Sequence, residues 1–189
     1  LISILMPVKN AQPFLQDCVR SIINQTETNW ELIAVNDHST DKSKEELDAF
    51  AQSDARITVL NNSGSGIIDA LRLAYRKSSG SFITRMDADD IMFPNKLDVL
   101  KRNLQSAAQG NIAVGQVQYF SDDELKDGYR FYEKWLNELT ASGSNYQDIY
   151  RECVIPSPCW MVYRENLNEC GAFEPNIYPE DYDLCFRFY

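Results

Sequence analysis

The chain has a single histidine, His38, so any Ser/His/Asp or Cys/His catalytic arrangement would depend on that one residue. It lies in Asn36-Asp37-His38-Ser39 and reads as a turn residue. Cysteine is present but without a pattern. Cys18, Cys153, Cys159, Cys170 and Cys185 are odd in number and show no CxxC or Cys/His spacing for zinc, which points to free thiols in a reducing compartment. Cys18 falls at helical spacing and reads as a small buried hydrophobe. No apolar run approaches the roughly 18 residues needed to cross a bilayer. The start, Leu1-Ile2-Ser3-Ile4-Leu5-Met6-Pro7, has no basic flank of the kind a signal peptide carries. Positive charge is in deficit: 18 Lys and Arg against 28 Asp and Glu give a net charge of −10, which argues against a nucleic-acid surface. The same deficit means that a phosphorylated ligand would need local cations, either a metal or a few Lys and Arg. Glycine is missing after the first apolar run, where Pro7-Val8-Lys9-Asn10-Ala11-Gln12-Pro13 lacks the Gly-rich, basic phosphate loop expected of a nucleotidyltransferase.

A length of 189 residues suits one domain with a real core, and a hydrophobic fraction of 44% is that of an ordinary globular protein. The chain does not begin with Met and ends within a helical pattern, which reads as a piece of a longer protein. Strand and helix signals alternate through the first 120 residues. Strands are predicted at Ile2–Met6, Trp30–Val35, Ile57–Leu60, Ser81–Met86 and Asn111–Phe120. Helices are predicted at Pro13–Asn24, after a Ser39 or Thr40 cap through Phe50, at Ile67–Lys77 and at Asn95–Ala107. Asn61 to Gly66 is a turn, and Pro94 opens the fourth helix. Beyond residue 120 the pattern is less regular, with an aromatic-rich helix at Tyr129–Ala141, an extended Pro-bearing stretch from Tyr150 to Val162, and a loop at Tyr178-Pro179 entering a last helix. Such alternation implies an α/β fold, a Rossmann-like, mostly parallel sheet flanked by helices. Ligands of such sheets bind beyond the carboxyl ends of the strands. Lys9 and Asn10, Asp37, and Asp87 to Asp90 all follow strand ends, so one sheet edge would gather them.

The most informative stretch is Ser81-Phe82-Ile83-Thr84-Arg85-Met86-Asp87-Ala88-Asp89-Asp90, a short strand that stops in three carboxylates. Close carboxylates repel unless something cationic sits among them. A hard divalent ion such as Mg2+ or Mn2+, itself holding a diphosphate, fits that need. The bland alternative is a solvated acidic loop before a helix, with Asp90 or Asn95 as its cap.

Five segments in order resemble the family 2 glycosyltransferases, which have the nucleotide-sugar-binding GT-A fold. They are Ile4-Leu5-Met6-Pro7-Val8-Lys9-Asn10, Val35-Asn36-Asp37-His38-Ser39-Thr40-Asp41, Gly66 to Gly80, Arg85-Met86-Asp87-Ala88-Asp89-Asp90, and Pro179-Glu180-Asp181. The chain departs from the family at Ile68, Arg72 and Ala74, where a small polar residue, Asn and Gly are common. The resemblance covers nearly the whole chain and implies one glycosyltransferase domain, residues 1–120 handling the nucleotide sugar and 121–189 the acceptor.

By that resemblance, the backbone at Pro7 and Val8 lines the nucleotide pocket, Asp37 accepts a hydrogen bond from the base, and Gly66 and Ala88 belong to the donor site. Arg72 would counter a phosphate or face the base pocket, or, as an exposed helix arginine, pair with a nearby acid. Asp87 contacts the ribose or a metal-bound water and Asp89 ligates Mn2+ or Mg2+, whereas Asp90 caps or supports the next helix. Asp181, with Glu180 second, takes the proton of an acceptor hydroxyl. One base without a nucleophilic side chain implies a single displacement that inverts the anomeric centre. Tyr178 offers a sugar-stacking surface; Trp160 reads as core. The implied donor is a nucleotide-diphosphate sugar, uridine diphosphate by preference, and the acceptor is a glycan or another hydroxyl compound. The expected location is cytoplasmic, with peripheral association at the inner face of a membrane. Two other classes compete. A non-catalytic nucleotide-sugar-binding module would not need both acidic motifs, and a phosphatase using Asp87 would want Ser or Thr where Asp90-Ile91 stands.

Overall fold

A computed structural model describes residues 1–107, 110–121 and 124–189. In chain order the elements are β1 (Ile2–Val8), α1 (Gln12–Ile23), β2 (Trp30–Asn36), α2 (Ser43–Ser53), β3 (Ile57–Asn61), α3 (Ile67–Lys77), β4 (Phe82–Arg85), α4 (Lys96–Ser106), β5 (Ala113–Val114), α5 (Asp127–Ser142), β6 (Trp160–Tyr163), α6 (Arg164–Glu169) and α7 (Glu180–Phe188), with short 3-10 turns at Asn145–Asp148 and Ser157–Cys159. The six strands form one sheet in the order β3-β2-β1-β4-β6-β5. β1 to β4 run parallel, while β6 is antiparallel to both β4 and β5. Strand order reverses about β1, which lies between β2 and β4, and the crevice at such a reversal is where open α/β sheets bind ligands.

Both faces of the sheet are covered because the central strands carry mostly apolar residues on both sides. On β1, Ile2, Ile4, Met6 and Val8 pack toward α1, α2 and α4, while Leu5 points to the opposite core with Ile33, Val35, α3, α6 and α7. Trp160 is 3% exposed in that second core and meets Phe188 edge-on, as expected of a core residue. Cys18 is fully buried against Met6. All five cysteines are free thiols.

Three local expectations are corrected. The strand expected over Asn111–Phe120 shrinks to Ala113–Val114, because side chains of α5 take over the backbone partners beyond it. The Asn137 amide accepts from Val117 N and donates to Val117 O, both at 2.8 Å, and Glu133 accepts from Tyr119 N at 2.6 Å. Asn137→Ala should therefore lower stability by about 1–3 kcal/mol through two unmet backbone groups. A fall in the urea midpoint at unchanged m-value would show it, and an unchanged midpoint would refute it. Second, α2 starts at Ser43, not after a Ser39 or Thr40 cap; Ser39 Oγ instead accepts from Asn10 N at 3.0 Å, and Asp41 accepts from Ser43 N at 2.9 Å. Third, α4 starts at Lys96 without a side-chain cap, so Asp90 does not cap it.

Candidate active site

β1, β2 and β4 end side by side: Val8 pairs with Asn36, and Leu5 with Arg85. The chain leaves each strand into a polar turn, and the start of α7 folds over the same edge. Together they enclose a cavity of about 640 Å³ lined by Pro7, Val8, Asp37, Gly66, Asp87, Ala88, Asp89, Tyr178, Glu180 and Asp181, among others. Every site residue expected from the sequence is there except Arg72.

Asp37 is the hub of the nucleotide side. It is 3% exposed, and its oxygens accept Asn62 Nδ2 at 2.7 Å, Gly66 N at 3.1 Å and Lys9 Nζ at 3.3 Å. Burial alone would push its carboxyl up, but the bonds from Asn62, Gly66 and Lys9 outweigh it and hold Asp37 below the usual carboxylate range. Gly66 precedes α3 at φ 86°, a conformation that L side chains rarely adopt, and this lets its N–H face Asp37. His38 is a turn residue at φ 55°, with Nε2 2.8 Å from Gly64 O.

The second cluster sits where β4 ends. Arg85 is 5% exposed. Its Nε donates to Asp87 Oδ1 at 2.8 Å and its Nη1 to Glu180 Oε1 at 2.9 Å. Burial works against the guanidinium's charge, and the two carboxylates more than restore it, so its pKa is raised. Ala88 is buried, whereas Asp89 projects from the turn into solvent on the cavity wall. Asp90 turns to a neighbouring cavity that Lys96 also lines. Burial, then the charges of Asp87 and Asp89, push its carboxyl up to about 6.

The two members of the Glu180-Asp181 pair differ. Glu180 is 9% exposed and committed to Arg85. Asp181 is half-buried; Oδ1 accepts from its neighbour's backbone, Tyr182 N, at 2.8 Å, and Oδ2 takes only a long bond from Ser157 Oγ at 3.4 Å. Tyr178, 79% exposed, stands at the rim beside it.

Of the two expectations for Arg72, the pair with a nearby acid is the one formed, and the side chain does not line the cavity. Its Nε donates to Phe173 O at 2.8 Å, Nη1 to Asp69 at 3.0 Å, and Nη2 to Glu174 O. It clamps α3 to the turn after α6, away from the cavity. An exposed cation on the cavity wall is Lys9, which reaches Asp37 at 3.3 Å while its side chain is 60% exposed. Sequence reasoning noticed Lys9 only as a polar residue after a strand, and it missed Arg85, Asn62 and Ser157. Arg85 alone left a signal, a charge inside an otherwise apolar strand.

Among the described residues no three His, Cys, Asp or Glu side chains converge to hold a metal by themselves. Asp87 and Asp89 still fit a divalent ion of the magnesium type, which is commonly held by one or two carboxylates with water and substrate phosphates completing the shell.

The family model for glycosyl transferase family 2 matches residues 3–171. Among curated relatives, the UDP-Glc:alpha-D-GlcNAc-diphosphoundecaprenol beta-1,3-glucosyltransferase WfgD of Escherichia coli is 37% identical over 187 residues, 97% of this chain and 68% of the relative. The glycosyltransferase GlyA of Streptococcus pneumoniae is 31% identical over 188 residues, 95% of this chain and 27% of the relative. The chain spans only 24% of a Rickettsia bellii glycosyltransferase and 43% of GlyG from S. pneumoniae. Of solved structures, S. aureus TarS 1-349 in complex with UDP superposes with a TM-score of 0.74 at 14% identity, over 100% of this chain and 54% of that one. The mannosyltransferase PcManGT from Pyrobaculum calidifontis, in complex with GDP-Man and Mn2+, gives 0.72 at 17% identity, over 96% and 49%. The sheet order, the acidic strand ends and these matches agree: the chain belongs to glycosyl transferase family 2 and has the GT-A fold.

Proposed function

We propose that this chain is the catalytic domain of a metal-dependent, inverting glycosyltransferase that moves a sugar from a uridine diphosphate sugar to a hydroxyl acceptor. The observation that carries the reading is one cavity where Asp37, the Asp87–Asp89 turn and Asp181 meet at the strand ends. A uridine diphosphate donor has support from WfgD, a relative whose name includes UDP-Glc as donor. Residues 1–120 supply the donor side and 121–189 the acceptor side; β6 from the latter pairs with β4 from the former, so both share one sheet. Among the described residues no helix is long and apolar enough to cross a membrane. The proposed place of action is the cytoplasm, at the inner face of a membrane.

The roles follow from charge. The base sits between the β1 end at Pro7 and Val8 and the Gly66 turn, and one of its N–H groups takes the Asp37 position now held by Lys9. Lys9 then swings toward the diphosphate, where its charge offsets part of the acidic field. Asp89 and Asp87 are the residues that would hold Mn2+ or Mg2+, and such an ion would supply positive charge to offset that of the leaving diphosphate. Ala88 gives the turn a small side chain where the donor approaches. Asp181 accepts the proton of the acceptor hydroxyl as that oxygen attacks the anomeric carbon, and Tyr178 provides a face for a sugar ring. With Asp181 as a single base and no side chain assigned as a nucleophile, the attack is a single displacement and the anomeric configuration inverts.

A calorimetric screen of nucleotide sugars with and without Mn2+ tests the reading. Saturable binding of a uridine diphosphate sugar that needs the ion supports it; no binding by any nucleotide sugar contradicts it. Asp37→Ala should weaken UDP binding by about 10-fold or more, the scale of a hydrogen bond to a charged group, and leave the ion requirement intact.

A further inference from the structure

Arg85 joins the two acidic motifs of the cavity. It lies in the last position of β4, 5% exposed, and its guanidinium holds Asp87 and Glu180 at 2.8 and 2.9 Å. Asp87 belongs to the donor-side turn. Glu180 is the first residue of α7 and immediately precedes Asp181. A buried guanidinium is tolerated only when carboxylates pair with it, and breaking such a pair is far more damaging than never having built one. The planar fork also fixes both carboxylates in direction, which a lysine ammonium cannot do.

We infer that the Arg85–Glu180 pair is a positioning device, which pins the N-terminus of α7 to the end of β4 and so holds Asp181 in register with the Asp87–Asp89 turn. The segment that leads into α7 provides no such anchor: Asn176, Ile177, Tyr178 and Pro179 are all exposed. Glu180 is the first buried residue after them. Among the described residues, Asp181 itself is tied to the rest of the wall by the 3.4 Å bond from Ser157, too long to fix a side chain. The downstream anchors of α7, Tyr182 to Ile149 O at 2.5 Å and Arg187 to Ala172 O at 2.7 Å, lie away from the cavity. Glu180 therefore acts through Asp181 rather than on substrate.

This inference rests on Asp181 being the base, and a double-mutant cycle separates the two claims. Glu180→Ala, Asp181→Asn and the double variant are compared for donor turnover and, independently, for UDP affinity with Mn2+. Glu180→Ala should lower kcat by about 10- to 100-fold, the scale of a misplaced catalytic group, with UDP affinity within about threefold of wild type. In the Asp181→Asn background the same change should cost less than about threefold further, since there is no base left to place. Glu180→Gln keeps an oxygen for Arg85 Nη1 and should retain most of the turnover. Equal losses from Glu180→Ala in both backgrounds, no loss at all, or a parallel collapse of UDP affinity would overturn the positioning role. An Asp181→Asn variant as active as wild type would instead overturn the base assignment, and the positioning role with it.

Discussion

Asp181→Asn is expected to lower turnover by about 100-fold or more, the usual scale for loss of an acid–base group, while donor affinity stays near wild type. The amide keeps the size and one acceptor oxygen of the side chain but cannot take a proton. The choice of Asp181 over Glu180 rests on their partners. Glu180 is 9% exposed and paired through Oε1 with Arg85, a permanent cation. Asp181 lines the cavity without an ion pair among the described residues, and Ser157 at 3.4 Å leaves room for an acceptor hydroxyl to approach Oδ2. The only histidine, at position 38, is bonded to the Gly64 carbonyl and does not line the cavity. Donor hydrolysis or transfer at saturating donor measures the effect. Were Asp181→Asn to retain wild-type turnover while Glu180→Gln lost it, the members of the pair would have to be exchanged.

Asp89→Ala should have a comparable effect on a different step. Asp89 is the exposed carboxylate of the turn and lines the cavity, whereas Asp87 already shares an oxygen with Arg85. Removing Asp89 takes away an oxygen donor that Mn2+ or Mg2+ would use, and a diphosphate cannot enter a cavity lined by Asp37, Asp87, Glu180 and Asp181 without compensating charge. The variant should bind UDP with the same weak affinity whether or not Mn2+ is present, at unchanged thermal stability. Manganese-dependent affinity equal to that of the wild type would remove Asp89 from the site.

The parts of the site that were legible in the sequence are those whose chemistry is local. An apolar run that stops in carboxylates is visible at Phe82–Asp90 without any structure, and alternation of β and α periods places all such stops at one sheet edge. Partners distant in sequence were not legible. Arg85 is 95 residues from Glu180, and only the fold brings them to 2.9 Å. Asp37 and Asn62 meet across β2 and β3 in the same way, at 2.7 Å. The choice between a phosphate and a nearby acid for Arg72 was not legible because a helical arginine near a glycine turn has no sequence signal for which face it occupies; it pairs with Asp69, and its carbonyl partners at Phe173 and Glu174 lie about a hundred residues on, as the 101-residue separation to Phe173 shows. The strand expected over Asn111–Phe120 failed for a related reason. Its alternation is real, but Asn137 and Glu133 satisfy the backbone that a neighbouring strand would otherwise have paired.

The most direct test is diffraction from a crystal soaked with UDP and Mn2+, collected at an energy where manganese scatters anomalously. The expected result is nucleotide density between Val8, Asp37 and Asp87, an anomalous peak within ligand distance of Asp89, and the Asp181 carboxylate facing the open side of the diphosphate. Nucleotide density remote from all of these residues would contradict it.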